Sequence, residues 1–277
     1  MRYWTAQFGV THANQSDSTN SLWEQDLSEC GASDAVLAAV KMLPPGVALV
    51  LHRAMTLPAD DSALRLVRFQ RGVLATHNSG KIAEACASLN NGRPGPYWSP
   101  LSDYTSFAPH EIHDTLDANA VLKAVSASTS TCLPSLADDS GLFVPALGAN
   151  SPGVRSARYD GPDSTDSRNV DKLLRLMEGV TDRSATMRAT LALADLSGPL
   201  HKSVLLIKVS VKGFIAKEAQ ASRADCFGYD PVFIPAIFSE STNTFAQMTF
   251  ADKLNCSPRG IALSMFHPFL NAYFVIR

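Results

Sequence analysis

The sequence predicts an α/β protein of mixed α+β type, and three observations carry that reading. Helix-period and strand-like segments alternate along the chain. The helical period is plainest in Asp163–Glu178, where Val170, Leu173, Leu174 and Met177 fall at i, i+3, i+4 and i+7, with Gly179 at the C-terminal stop. Strand signals follow it. Met187, Ala189, Leu191 and Leu193 alternate with more polar neighbours, and Val204–Ile215 is rich in Val, Leu and Ile.

Composition narrows the function classes. The chain has 277 residues, 45% hydrophobic and 18% charged, with a net charge of −2, and a mean hydropathy of zero. That is enough chain for one large domain or two small ones with a substantial core. Nothing draws the whole molecule to nucleic acid or to an anionic membrane, and no basic patch with interleaved aromatics suggests a nucleic-acid partner. The longest apolar run, around Val47–Leu51, is far short of a membrane span. Five scattered cysteines without a C-x-x-C pair fit free thiols in a reducing compartment, which points to the cytoplasm. The first twenty residues lack the basic start and apolar segment of a secretory signal; their Ser/Thr content leaves an organellar transit peptide open.

Residues 1–70 read as an N-terminal extension of unknown role. Gln15–Asn20 is loop-like, Ser33–Met42 a short helix with Ser33 as N-cap, and Pro44-Pro45-Gly46 a break. Val47–His52 is a candidate strand, and Leu57–Asp61 a second break. From Arg71 onward the signals define a second unit, residues 71–277. Val73–Ala75 is a short strand that leads through Thr76-His77-Asn78-Ser79-Gly80-Lys81 into a helix over Ile82–Leu89. A strand, a tight polar loop and a helix start make an anion site, because free N–H groups and the helix dipole face the anion and Lys81 adds charge. It is not a Walker A loop: Ala75 stands where the first Gly would be, and Ile82 where Ser or Thr would be.

Asn90–Pro100 reads as a Gly/Pro/Asn-rich loop. Pro109-His110-Glu111-Ile112-His113-Asp114 offers metal-capable side chains, but Pro109 and Ile112 argue for extended chain, which favours the carboxylates over a zinc-binding pair of imidazoles. Thr115 caps a helix over Leu116–Ser126, on which Asn119 and Lys123 share a face and could aim together at a phosphate. Ala137-Asp138-Asp139-Ser140-Gly141-Leu142 places two acids after an apolar run. Neighbouring side chains of a regular strand face opposite ways, so the Ser-Gly pair is expected to end the strand in a turn that re-aims them. Paired acids there suit Mg²⁺ and general-base chemistry.

Pro152–Tyr159 opens from a turn into a segment with two cations. In Phe227-Gly228-Tyr229-Asp230-Pro231-Val232-Phe233 a ring beside a glycine could offer its face to a base. Thr244-Phe245-Ala246, Asp252-Lys253 and Ser257-Pro258-Arg259-Gly260 follow, and residues 261–277 read as a closing helix with an apolar tail.

Taken together and in this order, these blocks over residues 71–277 resemble the inosine/xanthosine triphosphate pyrophosphatase family, whose members hydrolyse non-standard purine nucleoside triphosphates to monophosphate and pyrophosphate. The most specific blocks are Ala137–Leu142, Pro152–Tyr159 and Phe227–Phe233. The resemblance implies an elongated mixed sheet with flanking helices, two lobes around a central nucleotide cleft, and a homodimer. It implies that Thr76, Asn78 and Lys81 grip phosphate, that Asn119 and Lys123 contact substrate, and that Glu111, Asp138 and Asp139 hold Mg²⁺. Asp139 matches the general base. Ser140, Phe227, Gly228, Tyr229, Asp230, Lys253 and Arg259 match further substrate contacts.

Three positions depart from the family pattern. His77 stands in place of Gly in the phosphate loop, where a positive φ would strain it. Cys226 replaces a small Gly, and Ser257-Pro258-Arg259 replaces Ser-His-Arg, removing a side-chain donor. These departures leave two further readings open: a lapsed homologue that binds nucleotide without turnover, and a pyrophosphatase with shifted base preference.

Overall fold

The computed structural model describes residues 2–9, 71–90, 97–106, 109, 111–196, 203–221, 223, 225–236 and 242–275. The helix read at Ser33–Met42, the strand at Val47–His52 and the breaks between Gln15 and Asp61 lie outside them. Eight strands and five α-helices follow in the described chain, and in order they are β1 (Arg2–Gly9), β2 (Arg71–Leu74), α1 (Ser79–Leu89), β3 (Tyr97–Pro100), α2 (Leu116–Thr131) and β4 (Ser135–Phe143). There follow β5 (Pro152–Gly153), α3 (Asp166–Leu176), β6 (Ser184–Ala194), β7 (Ser203–Ile215), β8 (Phe233–Pro235), α4 (Phe250–Cys256) and α5 (Pro258–Val275).

The strands form one mixed sheet in the order β1-β7-β6-β4-β2-β3, with β5 on β4 and β8 on β7. Parallel pairs join β2 to β3 and β4, and antiparallel ladders join β4, β6 and β7. Helices cover both faces. On one, Ala120, Ala124 and Ala127 of α2 pack on Val73, Ala137, Ala192 and Leu206; small residues at that spacing let helix and sheet approach closely. On the other, Ala85 and Leu89 of α1 and Leu263 and Phe266 of α5 meet Leu74, Leu136, Leu142, Leu193 and Ile207.

Caps set the helix starts where turn chemistry put them. Thr115 accepts from Ala118 N, and Thr165 from Arg168 N. α2 runs past Ser126 to Thr131 and stops at Cys132 in the left-handed region, φ 55°. α3 is shorter than the apolar period suggested, because Thr165 rather than Asp163 caps it. α5 begins at Pro258 rather than in the 261 region: Ser257 Oγ accepts from Gly260 N, and proline suits a first helical position because its missing N–H has no partner there.

Three readings are corrected. β3 lies inside the stretch read as loop, since Trp98 is buried beside Gly72 and its neighbours pair with β2. β1, for which the sequence offered no signal, pairs parallel with β7, Gln7 opposite Lys208. Most consequentially, β4 does not end at Ser140-Gly141. It continues to Phe143, and Gly141 is required for close approach rather than for a turn: a Cβ there would collide with the Gly153 carbonyl of β5.

Candidate active site

The uninterrupted β4 raises the question of how Asp138 and Asp139 could serve one site. Along one edge β4 pairs with β6 throughout. The opposite edge is taken by β2 only at Ser135 and Leu136 and by β5 only at Leu142 and Phe143. On that edge, between β2 and β5, residues 137–141 have no strand partner among the described residues. Side chains above and below this gap reach the same opening, so a ligand at the edge of the strand meets both acids without either being re-aimed.

The loop after β2 enters this gap. Asn78 caps α1, its Oδ1 accepting from Lys81 N at 2.9 Å, while Asn78 N donates to Thr76 Oγ1 at 3.2 Å. Lys81 Nζ reaches Asp138 Oδ2 at 2.9 Å and donates to the Asp138 carbonyl at 3.3 Å. His77 is exposed and does not have a positive φ; among the described non-glycine residues only Cys132 does. The strain that a His in place of Gly would have carried is absent.

On one face of β4, Asp138 accepts from Arg259 Nε at 2.9 Å and from Ser140 Oγ at 2.6 Å, and Arg259 also donates to Ser140. Burial alone would push the Asp138 carboxyl up, but Arg259 and Lys81 overcome it and hold it well below the usual range. On the other face, Lys123 Nζ donates to Asp139 Oδ1 at 2.6 Å and pairs with Glu111, which Arg158 Nη1 also holds, at 2.7 Å. Here burial wins: it pushes Asp139 up to about 6 against Lys123 and Lys81, with Glu111 adding to the rise. Burial opposes Glu111 too, yet Lys123 and Arg158 hold that carboxyl low. Asp139 Oδ2 is buried with no hydrogen-bond partner.

Phe227 lies over the start of α1, where a Cβ on Gly80 would strike its ring. Lys253 Nζ is 4.3 Å and Arg259 Cζ 5.2 Å from the ring centroid. The loop is pinned at each residue. Gly228, at φ +59°, donates its N–H to Asp166 Oδ2; Tyr229 Oη donates to the Ser156 carbonyl; Asp230 accepts from Phe227 N and from Lys253. A cavity of about 120 Å³ opens here, lined by Lys81, Ser140, Phe227, Lys253, Pro258 and Arg259. A larger cleft of about 1320 Å³ opens on the Glu111 side. It is the smaller one that adjoins Asp138, because a strand edge with cations folded over it leaves little free volume.

Most residues named from sequence therefore converge on the gap. Asn119 stands apart. Fully buried, its carboxamide accepts from His113 N and donates to the His113 carbonyl, so it fixes the segment that carries Glu111 rather than facing the opening. Glu84 was missed. At 1% exposure it pairs with Lys253 at 2.7 Å and with Arg259 Nη1 at 2.5 Å, joining two cations from separate helices. The available signal was an acid one turn after Lys81 on an otherwise apolar helix face. Arg158, read only as one of two cations, is the second support of Glu111.

A mixed sheet whose central strand offers two acids at an open edge, beside a capped helix start with a lysine and an aromatic cavity, defines a class of phosphate-handling α/β proteins. Within it, the chain belongs to the Ham1 family, whose profile matches residues 72–269. The dITP/XTP pyrophosphatase of Escherichia coli (strain K12) is 38% identical over 196 residues, 71% of this chain and 95% of that protein. That of Geobacillus kaustophilus (strain HTA426) is 39% identical over 196 residues, 69% and 90%. A solved HAM1 protein from Coxiella burnetii matches with a TM-score of 0.62 at 33% identity, covering 73% of this chain and 98% of that one.

Proposed function

We propose that this chain hydrolyses non-standard purine nucleoside triphosphates, ITP, dITP and XTP, to the monophosphate and pyrophosphate, and so cleans the nucleotide pool. The observation that carries the reading is the open edge of β4, where Asp139, Lys123 and Lys81 converge beside the Phe227 cavity. A purine stacked on Phe227 would place its phosphates along the gap, gripped by Lys81 and the α1 N-terminus. Lys123 would offset charge on the triphosphate. Asp139, with a carboxyl near neutral titration and a free Oδ2, would take the proton of a water attacking the α-phosphorus, and pyrophosphate would leave in line.

The donor set fits Mg²⁺. Glu111 and Asp139 share one ammonium, Lys123, and Asp139 keeps an unpartnered buried oxygen; Mg²⁺ is usually held by one or two carboxylates plus substrate phosphates. When bound, the metal supplies charge neutralisation of the triphosphate. The proposal extends to a cytoplasmic homodimer: free Cys86, Cys226 and Cys256 support a reducing compartment, and the family resemblance supports the dimer.

The test is pyrophosphate release from ITP, XTP, ATP and GTP with Mg²⁺ and after chelation. Fast release from ITP and XTP alone, lost on chelation, is expected. Equal rates on all four would remove the purine selectivity, and no release from any by folded protein would overturn the enzyme.

A further inference from the structure

The larger cleft continues past Glu111 along β6 and β7, beyond the sheet surface that the alanines of α2 cover. Its lining is unevenly charged. The β6–β7 register sets Arg188 opposite Ser210, with Lys208 and Lys212 two residues to either side, so three cations occupy one face at diagonal separations of about 7–8 Å. Arg155, Arg158 and Lys172 line the same cleft. Glu111 ties Arg158, and Asp117 ties Lys208. The other four cations have no carboxylate partner among the described residues, whereas Asp160, the next acid of the lining, is committed to Arg168. Among the described lining residues, only Asp114 remains to offset them.

Like charges on adjacent strands repel, and an anion with several charges would relieve that repulsion. The aromatic lining tells against a nucleobase. Arg188 Cζ sits 4.1 Å from the centroid of the Phe143 ring, and Lys172 Nζ 4.8 Å from that of Tyr159, so each ring already carries a cation. We propose that this cleft is a second anion site, separate from the loop at Thr76–Lys81, and that it takes condensed inorganic phosphate such as pyrophosphate or tripolyphosphate. The site does not depend on which nucleotide the chain turns over.

The test is calorimetric titration of tripolyphosphate into the full chain without divalent metal, at low and moderate salt. Arg188, Lys212, Arg175 and Lys217 are all exposed, so their replacement should leave the fold intact. Arg188→Ser with Lys212→Ser should raise Kd at least about tenfold and flatten its salt dependence. Lys81→Ala, and the charge-matched control Arg175→Ser with Lys217→Ser, should leave the cleft's Kd within about twofold. Binding that disappears in Lys81→Ala and survives in the cleft variant would overturn the proposal, as would equal losses in cleft and control variants, or no binding to the unaltered chain.

Discussion

Asp138 and Asp139 are adjacent in β4, yet their carboxylates answer to different cations on opposite faces: Asp138 Oδ2 lies 2.9 Å from Arg259 Nε, and Asp139 Oδ1 lies 2.6 Å from Lys123 Nζ. One acid is held ionised by two cations beside it; the other is held near neutral titration by burial. The division gives the two positions different expected phenotypes.

Asp139 must lose its proton to act as base, and burial pushes its carboxyl up to about 6. With Mg²⁺ present, kcat/KM should therefore rise with pH along an acid limb at or below about 6, because a bound cation favours the ionised carboxylate, and level off above it. Asp139→Asn should lower kcat at least about 10²-fold and abolish that limb. A pH–rate profile of both proteins decides the matter; an unchanged limb in the variant would assign it to another group.

Stability should depend on pH with opposite signs at the two acids. The folded carboxyl of Asp138 lies below its unfolded value, so its contribution is full above the ordinary carboxylate range and is lost as pH falls through the folded value. For Asp139, raised instead, stability declines as pH rises from about 4 to 6. Denaturant melts should show, below about pH 4, a steeper acid loss in the unaltered chain than in Asp138→Asn, and, from about pH 4 to 6, a shallower decline in Asp139→Asn.

Glu84→Ala leaves Lys253 and Arg259 buried without their shared carboxylate, which should cost about 3–5 kcal/mol in urea unfolding. Arg223→Ala, breaking the more exposed pair with Asp225, should cost no more than about 1 kcal/mol. Similar values for the two would show that the buried network adds nothing beyond a surface pair.

Gly80→Ala adds a methyl where the Phe227 ring lies. The ring must shift, and with it a stacking contact worth about 1–3 kcal/mol, so KM for ITP should rise about tenfold with kcat little changed. Unchanged KM would mean that the base does not stack on Phe227.

Pro258 opens α5 and lines the small cavity without a side-chain donor. Pro258→His should sharpen discrimination of ITP against ATP by up to about tenfold, the worth of one hydrogen bond. A ratio of kcat/KM values that does not move would show that this edge of the base is read elsewhere.

Sequence order made much of this legible. The cap at Thr115 and the long strands over 184–194 and 203–215 stand close to where side-chain period and turn chemistry set them. Asn78, Lys81, Lys123, Asp138, Asp139 and Phe227 all came from local motifs. The reading of Ser140-Gly141 failed because glycine serves both turns and close approaches, and only the neighbouring strand tells which. Helical spacing aims Asn119 with Lys123 at a phosphate, whereas its carboxamide holds the His113 backbone, a partner that spacing alone does not reveal.

What the sequence determined by itself is whatever depends on neighbours within a few residues: strand and helix periods, caps, and motif blocks that identify the family. What the tertiary structure decided depends on contacts across the chain. Arg259 meets Asp138 over 121 residues and Glu84 over 175, and the register of β2, β5 and β6 against β4 leaves one strand edge open between its two acids. Local propensity carries no information about which distant charge will neutralise a buried acid, because that is fixed by packing, and packing placed the two acids of one dipeptide in different electrostatic surroundings.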